Sequence, residues 1–127
     1  MLVEPSRNLK IAVVDDQSEL SEVYSRGIEN LGYQSPSFFY DGTSMIKAMT
    51  KGQQSYDVII IDYRIPEMSA VEAAKIIQRY RTDARIIVAT GSDFVKLEAI
   101  GAGLSFILKP FTVEQLAECL ESSSPDR

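Results

Sequence analysis

Four short runs of apolar residues recur along the chain, at residues 9–14, 58–61, 85–89 and 106–108. The runs are nearly continuous and rich in β-branched residues, which is typical of strands that are buried on both faces of a parallel sheet. Residues 34–40, which are closed by an Asp41-Gly42 turn, predict one further strand. The pattern therefore predicts five strands, of which the last ends at Lys109.

Apolar residues at helical spacing fill the segments between these strands. A first helix is predicted at about residues 18–31, just before Gly32, and its inward positions are Leu20, Val23, Tyr24, Gly27, Ile28 and Leu31. The third helix is predicted at residues 71–80, with inward positions at Val71, Ala74, Ile77 and Tyr80. The last helix follows a capping box of Thr112 and Gln115, and its core-facing positions are Val113, Leu116, Ala117 and Leu120.

Two shorter helices complete the alternation. Thr43 is predicted to cap a helix through Met49, and residues 93–100 predict a weak fourth helix. Five strand-helix units in succession predict a single doubly wound α/β domain with right-handed crossovers and the flavodoxin-like strand order 2-1-3-4-5. We expect this domain to span residues 9–121, between a polar N-terminal lead-in at residues 1–8 and a polar C-terminal tail at residues 122–127.

Residues that can handle a metal ion or phosphate stand at four of the predicted strand ends. Asp15 and Asp16 follow the first strand, Asp62 ends the third, Thr90 ends the fourth and Lys109 ends the fifth. Ligands of open parallel sheets bind outside the carboxyl ends of the strands, at the point where the strand order reverses. That point lies between strands one and three, so the carboxylates are predicted to line a binding crevice.

The composition excludes several kinds of partner and nucleophile for that crevice. A net charge of −5 and a pI near 4.7 argue against direct contact with nucleic acid or an anionic membrane. No apolar run approaches the length of a membrane span, and the single cysteine fits a cytoplasmic protein. The chain contains no histidine, which excludes Ser-His and Cys-His nucleophiles and points to carboxylates, hydroxyls or lysine for any such chemistry.

Charge balance at the strand ends points to a divalent cation. Two carboxylates about 5 Å apart repel by ~3 kcal/mol at an effective dielectric constant near 20. Lys109 offsets one of the three negative charges, and oxygen ligands favour a hard cation, with Mg²⁺ the default where phosphate also binds. We assign Asp62 and one or both of Asp15 and Asp16 to that ion. Asp62 stands alone at its strand end and is the better nucleophile, with Thr90 and Lys109 available for the phosphoryl oxygens.

These motifs resemble the receiver domain of response regulators in two-component signalling, from about residue 9 to residue 120. The matching features are Asp15-Asp16, the sequence IDYRIPEM at residues 61–68, Thr90, and FILKPF at residues 106–111. The resemblance implies that Asp62 is the phosphoacceptor and that Mg²⁺ binds Asp15, Asp16, Asp62 and the main-chain carbonyl of Arg64. It also implies that Thr90 is the switch hydroxyl, Phe106 the switch aromatic residue and Lys109 the phosphate-binding lysine, with a cis Lys109-Pro110 bond.

The resemblance further implies a signalling domain rather than an enzyme. A partner histidine kinase or histidine phosphotransfer protein would supply the phosphoryl group, which agrees with the absence of histidine here. Phosphorylation would then reshape the face formed by the fourth helix, fifth strand and fifth helix. That face would control a downstream protein or an output domain outside this sequence, and it can also support a dimer.

Two alternatives remain at this point. One is a pseudo-receiver, an interaction module that is never phosphorylated, because Ser69-Ala70 stands where receivers usually have Asp or Asn followed by Gly. A requirement for positive φ at Ala70 would cost about 1 kcal/mol or force another turn. The other is an aspartate-nucleophile phosphatase of the haloacid-dehalogenase type. That family needs a second aspartate two positions after the nucleophile, and neither DDQS at residues 15–18 nor DYRI at residues 62–65 fits.

Overall fold

Five parallel strands and five helices alternate along the computed structural model, which describes residues 9–17, 19–51, 55–80 and 83–121. The elements are β1 (Ile11–Val14), α1 (Glu19–Asn30), β2 (Ser37–Phe39), α2 (Gly42–Thr50), β3 (Val58–Asp62), α3 (Ala70–Tyr80), β4 (Arg85–Thr90), α4 (Asp93–Gly101), β5 (Ser105–Leu108) and α5 (Val113–Glu121). The strand order is β2-β1-β3-β4-β5, which confirms the predicted fold class.

The predicted lead-in at residues 1–8 and tail at residues 122–127 lie outside the described residues, as does Ser18 at the predicted start of α1. The predicted limits of the domain therefore stay a prediction. Within the described ranges, each helix is too short or too polar to cross a bilayer.

Alternation along the strands divides the core into two layers. Ile60 of β3 and Ile87 of β4 face one side of the sheet, where α1 and α5 cover them with Tyr24, Ile28, Leu116 and Leu120. The intervening residues, such as Ile59 and Val88, face the other side, which α2, α3 and α4 cover. Since every interior strand position is buried, the strands are the nearly continuous apolar runs that the sequence displays.

Glycines with positive φ end two of the helices. Gly32 has a φ of 96°. Its N–H donates to the main-chain carbonyl of Glu29, and the N–H of the buried Tyr33 donates to that of Ile28. At the end of α4, Gly103 has a φ of 76° and the N–H of Leu104 bonds to Ala99. Both ends form the Schellman arrangement, in which a left-handed residue lets two orphan helix carbonyls find donors. The predicted stop at Gly32 is confirmed, and α4 extends one residue beyond its predicted end.

Three residues predicted to face the core are exposed instead. Val23 is 64% exposed, Tyr80 58% and Val113 46%, and those predictions were wrong. Tyr80 is the last residue of α3, and the other two line a surface cleft described below. The remaining inward positions of α1, α3 and α5 are buried or partly buried, because they lie on the helix faces that cover the sheet.

The predicted N-terminal cap was wrong for α2 and correct for α5. Asp41, not Thr43, caps α2, because its carboxylate accepts the N–H of Ser44 at 2.8 Å. The hydrogen bond lowers the pKa of Asp41. The predicted capping box of α5 is confirmed, since Gln115 accepts the main-chain N–H of Thr112 at 2.8 Å and Thr112 accepts that of Gln115 at 3.0 Å.

The segment after β3 avoids the strain that a positive φ at Ala70 would create. Ala70 is the first residue of α3 and is fully buried. The left-handed residue in this segment is Glu67, with a φ of 76°. Ser69 accepts the N–H of Glu72 and Glu72 accepts the N–H of Ser69, so the two form a capping box before α3. The chain therefore uses another turn, and Ala70 carries no backbone penalty.

Candidate functional site

The sheet brings the predicted site residues to one edge. Asp62 is the last residue of β3 and lies beside Ala89 of β4. Asp15 directly follows β1, Thr90 ends β4 and Lys109 directly follows β5. Because these strands are parallel and adjacent, their carboxyl ends converge although the residues are far apart in sequence.

Three carboxylates form an acidic cluster at this edge. One oxygen from each of Asp15, Asp16 and Asp62 lies within 4.8 Å of the others. Oxygen atoms at such separations can share one hard cation, which accepts six or more oxygen ligands in a flexible arrangement or six in an octahedral one. Of the residues assigned to Mg²⁺ from the sequence, the structure brings these three side chains together.

Asp15 is the most deeply buried of the three, with a side chain that is 3% exposed. Burial raises the pKa of its carboxyl, and the charges of Asp62 and Asp16 act in the same direction. A hydrogen bond from the N–H of Gln17 to Oδ1, at 2.9 Å, and the charge of Lys109 oppose that rise. Its other oxygen, Oδ2, is buried and accepts no hydrogen bond from any residue in the described ranges. An anionic oxygen in that position is costly unless a cation lies against it.

Lys109 supplies the positive charge of the cluster. Its ammonium contacts the carboxylate of Asp62 directly and lies 3.7 Å from Oδ2 of Asp15. The Lys109 side chain is 26% exposed and that of Asp62 13%, so solvent still reaches the pair. The Lys109-Pro110 bond is cis, as predicted. One ammonium facing three carboxylates leaves the cluster with a formal charge near −2.

Thr90 ends β4, and Phe106 lies on the neighbouring strand β5. Thr90 is buried, its hydroxyl accepts the N–H of Ser92 at 3.1 Å, and its carbonyl accepts the N–H of Lys109 at 2.8 Å. Phe106 lies beside Val88 on β4, two residues before Thr90, and packs against the core on the same face as Val88. The hydroxyl and the ring therefore share one face of the sheet.

Arg64, the second residue after Asp62, is exposed and pairs with Ser69 in an isolated antiparallel bridge. Farther along this loop, Glu67 accepts a hydrogen bond from Thr43 of α2 at 3.0 Å. The loop is thus closed by its own bridge and attached to α2 at its middle. The assignment of the Arg64 carbonyl to a metal ion stays a prediction.

An apolar cleft of about 440 Å³ adjoins the acidic cluster. It lies between α1 and the start of α5, and Lys109 forms one of its walls. The other lining residues are mainly apolar and include Val23, Tyr24, Phe111 and Val113. Sequence patterns did not reveal this cleft, because helical spacing shows which residues share a face but not how closely two helices approach.

Tyr24 connects the cleft to the acidic cluster electrostatically. Its ring lies 5.8 Å from that of Phe111, and the residue is almost completely buried. Burial, followed by the charges of Asp15 and Asp62, strongly raises the pKa of the Tyr24 hydroxyl. Helical spacing predicts a core position for this tyrosine and gives no sign of its closeness to the acidic cluster.

Two contacts of α4 were also missed. The hydroxyl of Tyr63 donates to a carboxylate oxygen of Glu98 at 3.0 Å, and the ammonium of Lys96 lies 5.2 Å above the ring centre of Phe106. Tyr63 and Glu98 are 35 positions apart, and no periodic signal relates them. Their pairing depends on how α4 lies across the sheet.

The sequence matches the family described as response regulator receiver domain over residues 11–121. Chemotaxis protein CheY-3 of Vibrio cholerae serotype O1 is 28% identical over 124 residues, which cover 91% of this chain and 92% of that protein. The structure of the chemotaxis response regulator CheY4 of Vibrio cholerae is similar with a TM-score of 0.77 and 26% identity, and the match covers 92% of this chain and 99% of that one.

A further structure of the same fold is the receiver domain of a sensor histidine kinase from Pseudomonas aeruginosa PAO1. It is 23% identical, with a TM-score of 0.77, and the match covers 91% of this chain and 96% of that one. That receiver domain has a magnesium ion coordinated in its active site cleft.

The family match begins with β1 and ends with α5, so it contains every described strand and helix. The strand order, the convergence of the three aspartates and the relatives from chemotaxis all agree with the resemblance drawn from the motifs. Receiver domains are signalling domains of two-component systems and are typically phosphorylated on aspartate. The chain belongs to the response regulator receiver domain family.

Proposed function

We propose that this receiver domain is a switch that accepts a phosphoryl group on Asp62 with Mg²⁺ bound. The observation that supports this most strongly is the contact of the Lys109 ammonium with Asp62 inside a cluster of three converging carboxylates. A structural ion pair needs one carboxylate, whereas this cluster gathers two more than the lysine can neutralise. Such an arrangement is costly for the fold and suits a divalent cation with a phosphoryl group.

The residues present fit a magnesium ion. The buried Oδ2 of Asp15, which has no hydrogen-bond donor among the described residues, is the oxygen most in need of a cation. We propose Asp15, Asp16, Asp62 and the main-chain carbonyl of Arg64 as ligands. When bound, Mg²⁺ neutralises charge on the carboxylates and on the phosphoryl oxygens.

In the proposed reaction, an oxygen of Asp62 attacks the phosphorus of a phosphohistidine on a partner protein. A new O–P bond forms on Asp62, the N–P bond of the donor breaks, and its electron pair stays on the imidazole. Lys109 leaves its contact with the free carboxylate and binds a phosphoryl oxygen. The hydroxyl of Thr90, which now accepts the N–H of Ser92, turns to donate to a second phosphoryl oxygen.

The donor must come from another molecule, because the chain contains no histidine. We propose a histidine kinase or a histidine phosphotransfer protein as that partner, in the cytoplasm. The apolar cleft supports this, because its occupant would lie against Lys109 and therefore beside Asp62. Docking there would cover Val23 and Val113, two apolar side chains that the domain itself leaves exposed.

The output of the proposed switch is a change in the face formed by α4, β5 and α5. When Thr90 turns toward the phosphoryl group, Phe106 on the same sheet face moves inward into the vacated space, and α4 shifts with it. We propose that this face then binds a downstream protein or an output domain, and that it can mediate a dimer. The apolar side chains Phe94, Leu97 and Ile100, all exposed on α4, support a contact surface there.

A pseudo-receiver without phosphorylation is the second candidate, and the structure weakens its main argument because Ala70 needs no positive φ. A test that separates the two is reduction with borohydride after treatment with a small phosphoryl donor and Mg²⁺. An aspartyl phosphate is reduced to homoserine, so peptide mapping should find homoserine at residue 62. Unreduced Asp62 in folded, donor-treated protein would favour the pseudo-receiver.

A further inference from the structure

Helix α4 is weakly attached to the rest of the domain. Of its nine residues, Val95 and Ala99 are buried, while its other apolar side chains at Phe94, Leu97 and Ile100 are exposed. Two buried side chains, one of them an alanine, provide little hydrophobic stabilisation of the helix position. Individual polar contacts made by α4 can therefore influence its position.

Two such contacts link α4 to the switch region. Glu98 accepts the hydroxyl hydrogen of Tyr63 at 3.0 Å, and the ammonium of Lys96 lies 5.2 Å from the ring centre of Phe106. The second distance is within the range of a cation–π interaction. One contact thus reaches the residue next to Asp62, and the other reaches the proposed switch aromatic residue.

Main-chain hydrogen bonds fix the position of the Tyr63 backbone. Its N–H bonds to the carbonyl of Ala89 at 2.9 Å, and its carbonyl accepts the N–H of Ala70 at 3.3 Å. With both main-chain groups bonded, the ring extends from a fixed point at the end of β3. The hydrogen bond to Glu98 therefore holds α4 at a set distance from the phosphoacceptor strand.

We infer that Tyr63–Glu98 and Lys96–Phe106 are two restraints that hold α4 in the unphosphorylated position and so set the threshold of the switch. The inference rests on the proposed function, in which Phe106 moves inward and α4 shifts. Inward movement of Phe106 takes the ring away from Lys96, and a shift of α4 separates Glu98 from the fixed Tyr63. Both contacts are then present in one state and absent in the other, which is what allows them to bias the equilibrium.

The size of the bias follows from the exposure of the contacts. The hydrogen bond of Tyr63 to Glu98 is exposed, and Lys96 and Phe106 are both partly exposed. An exposed hydrogen bond to a charged group and a partly exposed cation–π pair are each worth about a 2- to 5-fold change in an equilibrium constant. The apparent affinity for a ligand of the active state is reduced by the fraction of molecules in that state. Removing one restraint should therefore tighten such binding about 2- to 5-fold.

The test measures the affinity for beryllofluoride, a phosphoryl analogue, by calorimetric titration at saturating Mg²⁺. Tyr63→Phe removes only the hydroxyl, and Lys96→Gln removes only the cation. We expect each to bind about 2- to 5-fold more tightly than wild type, and the double variant about 4- to 25-fold more tightly if the effects add. Glu22→Gln is the matched control, because it breaks the exposed Glu22–Arg26 ion pair on α1, away from α4.

Amide hydrogen exchange of α4 without the analogue is the second measurement. The double variant should exchange faster at residues 93–101 than wild type, and the control should not. If wild type binds beryllofluoride and the double variant binds with the same affinity, the restraints are not part of the switch. If wild type binds no beryllofluoride with Mg²⁺, the proposed function itself fails and this inference fails with it.

Discussion

The ammonium of Lys109 contacts the carboxylate of Asp62, although 47 positions separate the two residues in the chain. Parallel neighbouring strands make this possible, since β3, β4 and β5 all end at the same edge of the sheet. The contact places a positive charge where a phosphoryl group on Asp62 would need one. In the free domain, Lys109 therefore occupies the position of a counterion that phosphorylation would redirect.

Replacing Lys109 should affect metal binding and phosphorylation in opposite directions. Lys109→Gln removes one positive charge beside three carboxylates, so Mg²⁺ affinity should increase by about 5- to 10-fold at low ionic strength. The rate of phosphoryl incorporation should fall, because a donor to the phosphoryl oxygens is lost. Calorimetric titration with Mg²⁺ measures the first effect. Lys47→Gln on α2 is the charge-matched control, and unchanged Mg²⁺ affinity in Lys109→Gln would contradict the electrostatic account.

Asp15 is predicted to lower the stability of the metal-free domain. Asp15→Asn keeps the shape and the acceptor for the N–H of Gln17 but removes a charge that burial and two neighbouring carboxylates disfavour. The free energy of unfolding without metal should therefore rise at neutral pH, while Mg²⁺ affinity falls at least about tenfold. Urea denaturation with and without Mg²⁺ measures both. A variant that is less stable without metal and still binds Mg²⁺ normally would refute the role of Asp15.

Tyr24 should make the domain sensitive to alkaline pH. Its pKa is raised in the folded state by burial and by Asp15 and Asp62, so the unfolded chain ionises first. Stability is fully present below the unfolded pKa near 10 and is lost as pH rises, by ~1.4 kcal/mol per pH unit from this group. Tyr24→Phe should lose less stability than wild type between pH 10 and 12. Tyr40→Phe, at an exposed tyrosine, is the control, and equal losses in all three proteins would contradict the prediction.

Asp41 caps α2 in the structure, whereas the sequence predicted Thr43. Asp41→Ala should lower the free energy of unfolding by about 1 kcal/mol, because the N–H of Ser44 loses its acceptor. Thr43→Ala should cost clearly less, since the Thr43 hydroxyl bonds to the exposed Glu67 and, within the described ranges, accepts no helix N–H. Equilibrium urea denaturation of both variants measures the difference. A larger loss in Thr43→Ala would mean that Thr43 is the effective cap after all.

The central strands could be predicted because their burial is nearly complete. Residues 58–61 and 86–89 are all buried and apolar, so no polar residue interrupts these runs. The edge strand β2 was predicted too long, at residues 34–40 rather than Ser37–Phe39. Its first two residues are exposed, and an edge strand buries too little surface to define its own ends.

The helix faces were harder to predict than the helices. Val23 and Val113 have the spacing of core residues, but each lines the open cleft between α1 and α5. Whether such a position is buried depends on the distance to the neighbouring helix, which hydrophobic spacing does not specify. The contacts of α4 with Tyr63 and Phe106 depend in the same way on the placement of a helix, so the sequence could not predict them.

The acidic cluster was easier to anticipate, because a parallel sheet brings all its strand ends to one edge. The convergence of Asp15, Asp16 and Asp62 and their proximity to Lys109 follow from topology once the strands are known. Their roles in metal binding and phosphoryl transfer stay predictions.

The central claim is tested most directly by the intact mass of the protein after incubation with Mg²⁺ and a small phosphoryl donor. Wild type should gain the mass of one phosphoryl group, and chelation of Mg²⁺ should prevent the gain. Asp62→Asn should gain nothing under the same conditions, while Asp57→Asn, at an exposed aspartate just before β3, should behave as wild type. An unchanged mass of folded wild-type protein, or an equal gain in Asp62→Asn, would contradict the assignment of Asp62 as the phosphoacceptor.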